Sequence, residues 1–128
     1  MTKIRNLLLS FLGCVLLFAP VYVMAEGKAL SAIEIKKLFT DKTFDGHNEI
    51  RDKNYRAFSK ADGKMVHKNA KRTKEIPWEV TADGRHCVKF KANYCGTIVS
   101  MGNGVYHKMR DGTHINTLKN FVEGNKIE

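Results

Sequence analysis

Residues 26–128 predict a mainly β domain of the α+β kind. It is an N-terminal helix packed on an antiparallel meander of seven or eight strands, rolled into a small barrel or curled sheet. Three observations predict this. A helix-start signature sits at Ser31. Four glycine turns follow, at Asp62-Gly63, Asp83-Gly84, Gly102-Asn103-Gly104 and Asp111-Gly112. Between the turns, short segments rich in β-branched and aromatic residues carry the period of two that suits a half-buried strand.

The helix comes first. Ser31-Ala32-Ile33-Glu34 has the form of a capping box, with Ser31 at N-cap and Glu34 at N3. Leu30 and Ile35 occupy the positions of a hydrophobic staple. Leu30, Ile33, Ile35, Leu38 and Phe39 recur close to helical spacing, which predicts one buried face. The helix is expected to end near Thr40 or Asp41. Strands are expected near 43–50, 54–60, 64–69, 77–82, 86–91, 94–101, 105–110 and 113–118. Asp-Gly flanked by alternating apolar residues is a strong hairpin signal. Pro77 suits the beginning of a strand better than its centre. Gly124-Asn125 ends the fold, and Lys126-Ile127-Glu128 is expected to be loose. A meander of this length has two edges to protect, hence the expectation of closure or a cover by the helix.

Residues 1–25 read as a secretory signal peptide: Lys3 and Arg5, an apolar run from Leu7 to Val23, then Val23-Met24-Ala25. The run is 17 residues long and interrupted by Pro20, so cleavage is favoured over a retained anchor. Cys14 is an ordinary apolar residue of that leader. The expectation is a periplasmic or secreted bacterial chain with no transmembrane segment after cleavage. Removing 25 of 128 residues leaves 103, the size of one domain. Removing Lys3 and Arg5 from the formal +9 leaves +7. Such a charge favours an acidic protein or an anionic envelope component, including lipid headgroups. Nucleic acid is the weakest option for an exported chain.

Two cysteines remain after the leader, Cys87 and Cys95. An even count in an exported chain argues for a disulfide. The pair is symmetric about Lys91, so the two would face each other across a hairpin. The loop is short, and the bond is expected to stabilise by about 2.5 kcal/mol.

Catalytic patterns such as Gly-x-Ser-x-Gly or His-Glu-x-x-His are absent from the sequence. The chain therefore reads as a non-enzymatic binding or accessory module. Residues 60–74 hold Lys60, Lys64, Lys68, Lys71, Arg72 and Lys74 against one acid, Asp62. They read as a docking patch for an anionic partner, with Trp78 and Tyr55 as aromatic anchors, or else as a solvated loop. No cofactor is expected on the main reading. The alternative is copper or haem: His67, His86, His107 and Met109 would converge at one end of the barrel if their faces point inward. A third reading is a secreted inhibitor or toxin.

The spacing of several short motifs is also familiar. They are Leu30-x-x-x-Glu34-Ile35-x-x-Leu38-Phe39, Tyr55, Trp78-x-Val80, Asp83-Gly84-x-x-Cys87, Cys95, Tyr106, Asp111-Gly112 and Phe121-x-x-Gly124-Asn125. This layout resembles a family of small exported bacterial β proteins of unknown function. The resemblance implies the β fold and the cysteine bond, and no reaction. The chain departs from the layout at Pro77, where a glycine-containing turn is usual.

Overall fold

The computed structural model describes residues 27–127. The expected leader, with Cys14, and the terminal Glu128 lie outside the described residues. In chain order the elements are β1 (Lys28–Ala29), α1 (Ala32–Phe39), β2 (Lys42–Asn48), β3 (Lys53–Ser59), β4 (Lys64–Lys68), β5 (Thr73–Val80), β6 (His86–Lys89), β7 (Asn93–Gly102), β8 (Val105–Arg110) and β9 (Thr113–Glu123). Strands β2 to β9 each pair antiparallel with the next, and β9 returns to pair with β2. The meander is thus a closed eight-stranded barrel, which leaves its long strands no free edge. The short β1 extends one margin by pairing with β7 at Val99 and Ser100, beyond the reach of β6.

The capping box forms as the sequence predicts. Ser31 Oγ accepts from the Glu34 amide, and Glu34 Oε1 accepts from the Ser31 amide. Helix α1 stops at Thr40, whose extended backbone begins the path into β2. Ile35 and Phe39, four residues apart, are buried; Ile33 is 75% exposed. A helix advances about 100° per residue, so Ile33 lies on the far side from Ile35. The Phe39 ring meets Phe44 of β2, Trp78 of β5, His86 of β6 and Phe121 of β9. Contact with four strands means that Phe39 enters the barrel, and α1 plugs one end.

Strand boundaries fall close to expectation, with β5 and β9 as exceptions. Strand β5 begins at Thr73, so Pro77 lies inside it rather than at its start. The ladder tolerates this for a local reason. The Trp78 amide donates to the Gly63 carbonyl on the β4 side. By alternation the Pro77 nitrogen faces the β6 side, one residue past the last pair there, Trp78↔Val88. No ladder bond is needed at that point. Strand β9 runs on to Glu123, and the tail is tied down instead of loose. The Lys126 amide donates to Thr43 Oγ1, and Lys126 and Ile127 carbonyls accept from Arg56 and Lys68.

The turns divide into two kinds. Asn103-Gly104 and Asp111-Gly112 have positive φ at both residues, as a two-residue hairpin loop requires. At Asp62-Gly63 and Asp83-Gly84 only the glycine does, because three residues bridge Lys60 to Lys64 and Thr81 to Arg85. The Cys87–Cys95 disulfide crosses the β6–β7 hairpin, with the two cysteines directly opposite and their Cα atoms 4.0 Å apart. Among the described residues no helix is long and apolar enough to cross a membrane.

Candidate functional site

The barrel is solid at its helix end and hollow at the other. Ile35, Phe39, Ala57, Trp78 and Ile98 fill the helix end. Phe44, Met65, Ile76 and Leu118 are the next layer, and they line a cavity of about 760 Å³. That volume lies within the usual range for small-molecule sites. From His86, beside the helix, to Phe90 at the rim is four residues of strand, about 13 Å at the usual rise.

Alternation of strand direction decides what surrounds the mouth. Every second connection lies at the hollow end: residues 49–52, 69–72, 90–92 and 111–112. Three of these bring cations to the opening. Arg51 and Lys53 come from the β2–β3 turn, Lys71, Arg72 and Lys74 from the β4–β5 turn, and Lys91 from the β6–β7 turn. The one carboxylate among the lining residues is Asp52, which pairs with His47 at 3.0 Å. Lys74 also holds its ammonium 5.3 Å from the centre of the Phe90 ring. It thereby bridges the stretch where β5 and β6 have ceased to pair.

Lys108 and His86 form the floor. Both are only 3% exposed. Lys108 projects inward from β8 because Gly96 of the neighbouring β7 leaves room for its stem. A Cβ at Gly96 would lie 3.1 Å from Lys108 Cγ and 2.5 Å from the Met109 carbonyl oxygen. The ammonium donates to the Tyr94 carbonyl at 2.9 Å and lies 3.1 Å from His86 Nδ1. His86 is stacked on Phe39, ring centres 4.1 Å apart, and its Nε2 has no hydrogen-bond partner among the described residues. Burial, and then the Arg110 charge, lower the Lys108 pKa to about 7. Burial, and then the Lys108 charge, hold His86 well below its ordinary value.

Higher in the cavity, Tyr55 lies across Gly46, where a Cβ would meet the ring at 2.1 Å. Its hydroxyl donates to Asn116 Oδ1 at 2.9 Å, and burial pushes its pKa up. His67 stacks on Tyr55 with ring centres 4.6 Å apart. Burial, and then Lys74, lower the His67 pKa to about 4. Both imidazoles of the cavity are therefore neutral near pH 7.

The structure regroups the residues that the sequence singled out. His67 and His86 do line the cavity. His107 and Met109 lie on the opposite face of β8. Their register partners Thr117 and Thr97 alternate with the core residues Leu118 and Ile98. His107 stacks on His114 outside the barrel, ring centres 3.7 Å apart. The inward place on β8 belongs to Lys108. Among the described residues no group of three histidines, cysteines or carboxylates is placed to hold a metal ion.

The basic run is split as well. Lys71, Arg72 and Lys74 stand at the mouth. Lys60 and Lys64 flank the β3–β4 turn at the helix end, and Lys60 pairs with Glu75 at 2.6 Å. Lys68 reaches the Ile127 carbonyl at 3.4 Å. Residues 60–74 are thus not one continuous patch. Trp78 is 7% exposed and donates its indole N–H to the Lys60 carbonyl, so it is a core residue and not a surface anchor. Tyr55 faces the cavity. Lys108, Arg51, Lys53 and Lys91 are the site residues that sequence reasoning missed.

No family model matches the chain, and neither a curated protein nor a solved structure matches it.

Proposed function

We propose that this chain is an anion-binding module, acting outside the cytoplasm, which draws a small anionic ligand into its barrel through the cationic mouth. It holds and delivers the ligand without chemical change, as an accessory to a larger envelope process. One observation carries the reading: six arginines and lysines from three separate turns converge on the opening of a preformed cavity, against one carboxylate. Such a collar steers anions inward, and low-dielectric walls focus its field. The leader-like residues 1–25 and the Cys87–Cys95 bond support the extracytoplasmic setting.

Titration with anilinonaphthalene sulfonate tests the proposal. The dye should bind with an affinity that falls as salt rises. The combined Lys71→Gln, Arg72→Gln and Lys74→Gln variant should bind more weakly and lose most of that salt dependence. Salt-independent binding, or no effect of the triple change, would refute it.

A second reading is haem, which combines an apolar body with two carboxylates. His67 favours it, because it lines the cavity as a neutral imidazole. A Soret band that forms on haemin addition and is lost in His67→Ala would establish it. Absence of any shifted band removes it.

A further inference from the structure

We infer that the cavity takes an amphipathic monocarboxylate of medium chain length, with its carboxylate on Lys108 and its hydrocarbon directed toward the rim. The inference rests on the anion-binding reading above and names the class of anion. Its first support is an unused donor on the buried ammonium at the floor. An ammonium has three N–H groups, and two of them are accounted for by the Tyr94 carbonyl and His86 Nδ1. One ammonium proton is therefore left to donate. A carboxylate oxygen can accept it and supplies the opposite charge. Buried polar groups are nearly always satisfied, and a buried cation needs a counter-charge. Among the described residues no carboxylate pairs with Lys108, and the charge that acts on it is the cation Arg110.

The second support is the wall. Phe44, Met65, Ile76, Val88 and Leu118 line the cavity together with Phe90 at the rim. A bare phosphate would satisfy the floor and leave this surface wet. A hydrocarbon chain covers it, at about 25 cal/mol for each Å² removed from water. The depth of about 13 Å suits a chain of medium length. A long one would emerge among the rim cations, which need water.

Calorimetric titration of the purified protein with octanoate, octanol, octylammonium and inorganic phosphate tests the inference. Octanoate is expected to bind one to one. Octanol and octylammonium should be weaker by about tenfold to a hundredfold, the effect of a hydrogen bond to a charged group, and phosphate should give no measurable binding. Lys108→Met should lower octanoate affinity by a similar factor and leave octanol affinity unchanged or raised. Lys108→Gln serves the same purpose if the methionine variant does not fold. Failure of octanoate to bind the unaltered protein overturns the inference, as does equal octanoate binding by both Lys108 variants. The two readings separate cleanly. Octanoate binding that survives at Lys108→Met but is lost in the triple rim variant defeats the floor assignment alone. If neither octanoate nor the sulfonate dye binds, both readings fail.

Discussion

Lys108 sets charge against burial, and its titration can be read in the stability of the protein. Its pKa is about 7 in the fold against 10.5 for a free lysine, because burial disfavours the charged form. Between those values the unfolded chain holds a proton that the folded chain has released. Stability of the ligand-free protein should therefore rise as pH goes from about 7 toward 10.5. Lys108→Met removes the buried charge. It should raise stability at neutral pH by roughly 1–4 kcal/mol and flatten that rise, as urea denaturation at about pH 7 and about pH 9 would show. His67 acts in the acid range. Its pKa is about 4 in the fold against 6.5 outside it. The unfolded chain again binds more protons between the two values, so stability should fall as pH drops from 6.5 toward 4. Lys108 was hard to read in the sequence for a specific reason. Strand β8 offers two faces, and Val105, His107 and Met109 look better suited to an interior than Tyr106, Lys108 and Arg110. A buried lysine inverts the hydropathy on which such a choice depends.

At the scale of elements, the helix and the hairpins were legible because their signals are local. Ser31 and Glu34 lie three residues apart, and the cap they form needs no tertiary partner. Ser31→Ala should destabilise by about 1 kcal/mol. The role of α1 as a plug is a tertiary fact, concentrated in Phe39. Phe39→Ala should cost about 3–5 kcal/mol in chemical denaturation. It should also free His86 to move, since it removes the ring on which that imidazole is stacked. The disulfide was legible by arithmetic: symmetry about Lys91 gives the pairing Cys87↔Cys95 found in the hairpin. Pro77 was misread because its position in β5 depends on where β6 stops, and that is not written near residue 77. The tail was misread for a like reason. Thr43, Arg56 and Lys68, far away in sequence, supply its partners.

At the scale of the molecule, closure by β2 with β9 turns a meander into a vessel. The barrel was legible as an answer to the edge problem, but its hollow half was not. Whether an interior is filled depends on side-chain volumes summed over eight strands, and α1 fills only one end. The collar was half legible. Lys71, Arg72 and Lys74 stood out as neighbours in sequence. Arg51, Lys53 and Lys91 join them only when every second turn is assigned to the same end. The outer wall carries charges of both signs, among them the ion pair of Arg56 with Asp45 at 2.8 Å. A crystal structure of the protein grown with octanoate tests this account most directly. It predicts a carboxylate within hydrogen-bond reach of Lys108 Nζ, with the chain enclosed between Phe44 and Phe90. Octanoate seated only on the outer surface or among the rim side chains, with Lys108 untouched, would contradict it.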